Sequence, residues 1–471
     1  MISKLFKYAP VQILSAFSLF LLISIQTRYL SPNEYGLLAI FLVFTEGARS
    51  VLVQWINNCL VRFYSTSSSK LKFVSQLSFW LLVCLFLSSL VIFICMMMFN
   101  VFTVTNFAAI YLLLISKSLY LYLTECARVE ERVTHYRKAV FVQSMLSVII
   151  SYITLLYYEN IVSAIFALIV SYTISLVIVG YHGTISNKYN KSMKTTLLSF
   201  GLPLMISGLL GILASRSDRL LIASLTDLEQ AGLYSAVSNL LMGIMSLVFM
   251  VVALPLFPEL TKVVNDKSEL YKKHRYYGGV ICALSIPSTV GICLLAPHLV
   301  KLFLGESYQG MDLKIFYALS IATWFFNIKC HFLDHGFQFV MKTKWMPILT
   351  LSAFVIQVGI SLKLIPVYGA IGAAISFMLA FFVVSIFTLI VGTCLGYRYP
   401  CPQHLPETLL ATMMMAISVN VTGMYTNILP SWLVIIIFIS VGFLSYGSVH
   451  FMLNSFSIKD YIKGLTVNEK H

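Results

Sequence analysis

Charge is what this sequence has least of. Asp, Glu, Lys and Arg make up 11% of its 471 residues, against about 25% in an ordinary soluble domain. Acidic residues are the scarcer half, 18 against 32 Lys and Arg, which leaves a net charge of +14. The nine cysteines form no CxxC pair and no Cys/His cluster, so zinc and dithiol motifs are absent. Cys59, Cys84, Cys95, Cys282, Cys293 and Cys394 lie within or at the ends of apolar runs, where a free thiol packs as a small hydrophobe. There is no Walker A sequence, and no nucleophile, metal or cofactor motif. The expectation is a protein that is not an enzyme, with no catalytic residues, no metal and no cofactor. No small-x-small cleavage site follows the first apolar run behind Lys4 and Lys7, so that run reads as a permanent helix and not a signal peptide.

What the chain has is hydrophobic length. Hydrophobic residues are 59% of it, and the mean hydropathy is +0.88. A spanning helix needs about 20 mostly apolar residues, and fourteen such runs follow one another from Pro10–Tyr29 to Ser431–Leu453. The fold class is all-α, a polytopic membrane protein with about fourteen spans. Loop charge tests the count. With both termini cytoplasmic, 23 of the 32 Lys and Arg fall on inner loops and four on outer ones, and five lie inside helices. Cytoplasmic loops carry such an excess. The basic balance is therefore a topology signal lying against lipid, and nucleic acid is not expected as a partner.

A short repeat divides the chain. Ser31-Pro32-Asn33-Glu34-Tyr35-Gly36-Leu37 opens the second span, and Thr226 to Leu233 opens the eighth. Each has Ser or Thr, Glu three residues later, then Gly-Leu, the pattern of a capping box. The expected organisation is a six-helix lobe at 1–196, a second at 197–395, and two further helices with a cytoplasmic tail at 396–471. Lobes repeated in parallel are a transporter signature, with the substrate site between them near the bilayer midplane.

Seven charged residues sit well inside spans: Glu46 and Arg49 in the second, Lys117 in the fourth, Arg216, Asp218 and Arg219 in the seventh, and Lys329 in the tenth. Facing lipid, each would cost roughly 2.5–3.5 kcal/mol even on the lenient insertion scale. A shared cavity removes most of that cost. Glu46, Arg49, Ser50 and Asn57 are expected to form one stripe, and Gly208, Gly211, Ser215 and Asp218 another. Five cations against two acids suit an anion, and Arg suits phosphate through bidentate bonds. Arg49, Lys117, Arg216, Arg219 and Lys329 are the substrate-binding candidates, and Asp218 and Glu46 the ion-coupling candidates. Internal pairing of Glu46 with Arg49, Asp218 with an Arg, and Lys329 with Asp334 is the competing account. It leaves Lys117 and one Arg of the seventh span without an obvious partner. His331, His335 and His450 read as interfacial side chains.

Thr27-Arg28-Tyr29-Leu30-Ser31-Pro32-Asn33-Glu34-Tyr35-Gly36 resembles the opening of the polysaccharide repeat-unit flippases. Ser217-Asp218-Arg219 through Ala231-Gly232-Leu233-Tyr234-Ser235 resembles their seventh-to-eighth helix signature, and Leu304-Gly305-Glu306-Ser307-Tyr308 a weaker third motif. That family shares a superfamily with multidrug/toxin extruders and the peptidoglycan-precursor flippase. The resemblance spans residues 1 to about 395. It implies two six-helix bundles facing a central cavity, in a bacterial inner membrane. It implies as substrate an undecaprenyl-diphosphate-linked oligosaccharide for O-antigen, lipopolysaccharide or capsule. A polysaccharide polymerase and a chain-length regulator are the implied protein partners. The last two helices depart from the family's common twelve-helix pattern. The rival readings are a multidrug extruder of the same fold, for which an acidic cavity is expected, and a membrane polymerase or glycosyltransferase, for which a long outward loop is expected.

Overall fold

A computed structural model describes residues 2–67, 69–180, 191–426 and 428–457. Lys188 and the expected cytoplasmic tail, with Lys459, Lys463 and Lys470, lie outside the described residues. Among those described, the structure is helical throughout, without strands. The first part of the chain forms α1 (Ile2–Tyr29), α2 (Pro32–Ala48), a π turn (Arg49–Val53), α3 (Gln54–Phe63), α4 (Lys70–Met98), α5 (Val104–Val129), α6 (Val133–Tyr157), α7 (Ile161–Val179) and α8 (Lys191–Leu225). Then come α9 (Leu228–Thr261), α10 (Lys267–Phe303), α11 (Lys314–Ile328), a second π turn (Lys329–Leu333), α12 (His335–Phe339), α13 (Trp345–Cys394), α14 (Leu405–Gly423) and α15 (Ser431–Met452). Eleven of the described helices, counting α2 to α3 as one, are long and apolar enough to cross a membrane.

The polarity of these helices is inverted relative to a soluble protein. On α4 the exposed face carries Phe86, Leu90, Ile94 and Met98, spaced four apart. On α15 it carries Trp432, Ile436, Ile439 and Phe443. Such unbroken apolar stripes suit lipid and would not persist in water. The buried faces are small and weakly polar instead. Ser144, Ser147 and Ser151 of α6, and Ala164, Ala167, Ser171 and Ser175 of α7, are all buried where these two helices pack together. Small residues let membrane helices approach closely, which replaces the hydrophobic drive that lipid removes.

α13 runs for 50 residues, about 75 Å at 1.5 Å per residue, more than twice a hydrocarbon core of about 30 Å. It bends at Gly369, whose φ of 54° is a conformation glycine adopts readily, just after Pro366. The Ala370 amide beyond the bend donates to Gln230 Oε1 at 3.3 Å.

The chain forms two compact units, Met1–Ala236 with Ser361–Ala370, and Val237–Ile360 with Ile371–His471. In the first unit α8 packs on α2, the π turn and α3. The two copies of the repeated motif meet in that unit. Ser31 caps α2 as a capping box, with its Oγ accepting from the Glu34 amide at 3.3 Å and Glu34 Oε2 accepting from the Ser31 amide at 3.1 Å. The second copy differs. Asp227, not Thr226, caps α9, its Oδ1 accepting from the Gln230 amide at 2.7 Å, while Thr226 Oγ1 turns back to the Ile222 carbonyl at 2.8 Å. Asp227 therefore matches Ser31 and Gly232 matches Gly36, a register one residue from that expected by matching Thr226 with Ser31. The two glycines abut. A Cβ on Gly36 would fall 1.9 Å from the Leu228 carbonyl oxygen, and one on Gly232 would fall 1.8 Å from that of Pro32. The obstacle is backbone, so relief requires α2 and α9 to separate. G36A and G232A should each lower the melting temperature in detergent or nanodiscs, by the equivalent of about 1–3 kcal/mol for overpacking. The double variant should cost less than the sum of the two, because both strain one crossing.

Candidate functional site: buried ion pairs and an unpaired arginine

The first cluster forms midway along the second span. Glu46 and Arg49 are three residues apart, so helical geometry puts them on one face. Arg49 Nη2 lies 2.7 Å from Glu46 Oε1. From α5, Lys117 Nζ lies 2.7 Å from Glu46 Oε2. Each carboxylate oxygen thus has a cation of its own. With side-chain exposures of 12%, 20% and 25% for Arg49, Glu46 and Lys117, water screens the cluster little, and its charges are worth more than on a surface.

The helix changes form at this cluster. From Arg49 it widens into the π turn, and the Gln54 amide donates to the Arg49 carbonyl. On a regular α-helix a residue five along faces about 140° away. The extra residue of a π turn carries position i+5 to where i+4 would stand. Arg49 Nη1 therefore reaches Gln54 Oε1, and Gln54 Nε2 contacts Asn58 Oδ1 at 3.5 Å. The polar stripe continues through Gln54 and Asn58 instead of the expected Asn57, which is buried with no hydrogen-bond partner for its Oδ1.

The second unit repeats the device. The π turn at Lys329–Leu333 sets Lys329 over Asp334, five residues on, with Nζ 3.0 and 2.9 Å from the two carboxylate oxygens. Both side chains are under 8% exposed. Asp334, expected near a helix end, is thus a full buried partner of Lys329, and the buried balance becomes five cations against three carboxylates.

The charges of α8 separate by depth. Asp218, 1% exposed, accepts from the Tyr234 hydroxyl of α9 through Oδ2. Its Oδ1 accepts from the Arg219 amide at 2.8 Å and lies 3.8 Å from Arg219 Nη1. Arg219 is itself 3% exposed. The expected small polar face of α8 divides. Gly208 sits against the Ser50 backbone, where a Cβ would fall 2.6 Å from the carbonyl oxygen, and Gly211 faces open space. Ser215 Oγ donates back to Gly211.

Arg216 is half-buried and makes no hydrogen bond or ion pair among the described residues. Arg219, Glu46, Asp218 and Arg49 are the charges within its electrostatic reach. The pairings expected from sequence are all present, and Lys117, expected to lack a partner, takes the second oxygen of Glu46. In the first unit the structure gathers Glu46, Arg49 and Lys117 by contact and sets Arg216 within their field. Asp218 and Arg219 join Tyr234, while Lys329 is bound to Asp334 in the second unit. Sequence spacing did not point to Gln54 or Tyr234. Tyr234 does stand within the second family-like motif. The histidines differ from expectation: His335 and His450 are buried, not interfacial.

The described residues form a helical scaffold with spans long and apolar enough for a membrane, buried ion pairs and one partly exposed arginine outside them. The fold is similar to that of lipid II flippase MurJ in its inward closed conformation, with a TM-score of 0.71, 17% identity, and 97% of this chain and 99% of that chain covered. It is also similar to an inward-facing multidrug resistance MATE family transporter of the MOP superfamily, with a TM-score of 0.60, 16% identity, and 81% and 95% covered. No curated protein matches by sequence. The family described as "Polysaccharide biosynthesis protein" matches residues 25–312. The chain belongs to that family of polysaccharide biosynthesis proteins.

The ion-pair geometry sets up a stability contrast. In a double-mutant cycle of E46Q with K117M, denaturation should give a coupling of about 0.5–3 kcal/mol. R216Q should stay within about 0.5 kcal/mol of wild type, since it removes no hydrogen bond or ion pair among the described residues. Y234F leaves a buried carboxylate oxygen without its donor and should cost about 1–3 kcal/mol.

Proposed function

We propose that this protein is a flippase for lipid-linked oligosaccharides. It moves undecaprenyl-diphosphate-linked repeat units from the inner to the outer leaflet of a bacterial inner membrane, for O-antigen, capsular or other surface polysaccharide. The family match supports a role in polysaccharide synthesis, and the fold likeness supports transport over catalysis. Fourteen spans are proposed, with α1, the α11–α12 segment and the two arms of α13 each crossing once. In this reading residues 1–196 and 197–395 act as lobes that rock in alternating access, and 396–471 add two helices. A polysaccharide polymerase and a chain-length regulator would act beside it on the same carrier lipid.

The observation that carries the proposal is Arg216. Buried cations that already hold a carboxylate offer an incoming anion little. Arg216 holds none, and its planar guanidinium suits the bidentate geometry of phosphate oxygens. Arg49 and Lys117 stand behind it but are neutralised by Glu46. A diphosphate drawn in by Arg216 would compete with the Glu46 carboxylate for those two cations, exchanging an internal ion pair for one with substrate. Arg219, beside Asp218, would support the site's field from a buried position, and Lys329, beside Asp334, would be a separate contact for the substrate in the second unit. Glu46, released when the anion takes its cations, would be the carboxylate open to a coupling proton. Asp218 would meet one only when Tyr234 withdraws. The excess of cations favours this reading over a multidrug extruder for cationic drugs.

The test follows from the contrast in stability. R216Q and R216E should abolish surface polysaccharide in a complementation assay, with protein level and melting temperature near wild type. R219E should lose both, because Arg219 is buried beside Asp218. Normal polysaccharide in R216E would overturn the assignment of Arg216.

A further inference from the structure

The second unit holds two buried imidazoles that the transport reading does not use. His274 lies near the start of α10 and is 0% exposed; His335 opens α12 and is 5% exposed. Their ring centroids are 5.9 Å apart. Around them the packing is aromatic. Phe332 stacks on His274 at 4.5 Å, Phe257 of α9 packs on His335 at 4.5 Å, and Phe339 touches both rings. His274 Nδ1 lies 2.6 Å from the Tyr397 hydroxyl, which follows α13. His335 Nδ1 is buried without a hydrogen-bond partner among the described residues, and the His274 ring has the Phe332 backbone as its polar neighbour besides Tyr397.

Leaving a buried polar atom unpaired is costly. Two imidazoles in one aromatic pocket, one with an unpaired nitrogen, are not explained by packing, since a Phe would fill either position without that cost. The groups facing the rings supply no counter-charge. Tyr277 packs on His335 and donates its hydroxyl to the His331 carbonyl at 2.9 Å. His331 is a further imidazole within electrostatic range of His335. Tyr399 donates to the Leu333 carbonyl, and Asp334 is held by Lys329. A proton added to either ring in this packing would be a buried charge without a carboxylate, which the site must hydrate or expel.

We infer that His274 and His335 form a proton-binding site of the transport cycle, empty of protons when the α10–α12 cluster is packed and loaded when it opens. The inference rests on the transport reading. On opening, the free lone pair of either ring takes a proton from water and that ring becomes an imidazolium. On closing, the same proton returns to water. Proton occupancy and packing exclude each other, so each biases the other by linkage. The sign is fixed. A charged ring is excluded from the packed aromatic cluster and tolerated once water reaches it. The packed arrangement is therefore favoured at higher pH and weakens as pH falls. Each histidine that titrates contributes up to about a tenfold change in the open-to-packed ratio per pH unit.

Hydrogen–deuterium exchange of the full chain in lipid nanodiscs tests this without any glycan substrate. Opening of segments 270–280 and 329–340, corrected for intrinsic exchange, should rise at least fivefold between pH 7.5 and pH 5.5. H274Q and H335Q keep a polar side chain of similar length and should each flatten that rise, and the double variant should abolish it. Opening that does not change with pH in the wild type would overturn the proposal. So would a double variant with the wild-type pH dependence, which would assign the effect to His331 or Asp334. A variant that fails to fold is replaced by reading His274 and His335 ring nitrogens by NMR in the wild type, where rings that protonate at pH 5.5 without opening would also overturn it. If R216E retains normal polysaccharide while exchange depends on pH as stated, the anion site fails and the proton site stands.

Discussion

Charge inside a low-dielectric interior must be neutralised, and much of this structure follows from that constraint. Eleven of the described helices are long and apolar enough to cross a membrane, so their polar devices are assembled on buried faces. The chain meets the constraint with few acids. Glu46 serves two cations, Asp334 serves Lys329 through both oxygens, and Asp218 lies beside Arg219 while taking the Tyr234 hydroxyl. A buried pair of this kind adds modest net stability but is costly to break. Its effect is to fix which helices face which, and to leave Arg216 outside these pairs among the described residues.

Two π turns carry this arrangement. Both begin on a cation, Arg49 or Lys329, and both join that cation to a polar residue five positions on. The widened turn does more than rotate a side chain. It shifts the register of everything beyond it, which is why Gln54 and Asn58 extend the polar stripe and Asn57 does not. Irregular helix at membrane depth is tolerated where it is buried in protein or lines a cavity, and π turns recur at functional positions. The glycine crossing of α2 and α9 is a third irregular contact. There the two copies of one sequence motif approach to backbone distance, and this contact sets the true register between them.

In the proposed cycle internal anions would hold internal cations until a better anion arrives. Glu46 would then be a placeholder for substrate, and Arg216 the group that first draws substrate in. The proposed proton site of the second unit would act on the packing of α10 and α12 and not on the anion directly. Anion and proton would then be read by different units, through different residues, with the cycle linking them.

The class of the protein was legible from sequence alone, because hydrophobic length and loop charge act locally and additively. So were the five buried cations, which stand out against an apolar background, and the family-like motifs, whose residues lie close together in the chain. The partner of each charge was only partly legible. Glu46 with Arg49 follows from helical spacing, but Lys117 reaches Glu46 across 71 residues, and Lys329 reaches Asp334 only because the helix widens between them. A capping residue shifted by one, from Thr226 to Asp227, moved the internal alignment by the same amount. His274 and His335 carry no pattern in the sequence and acquire meaning only once packing brings them together. Composition and periodicity determined that charges would be enclosed. Helix irregularities and contacts between distant segments, which no period-3.6 pattern encodes, decided which charges are satisfied among the described residues and which, Arg216 above all, are not.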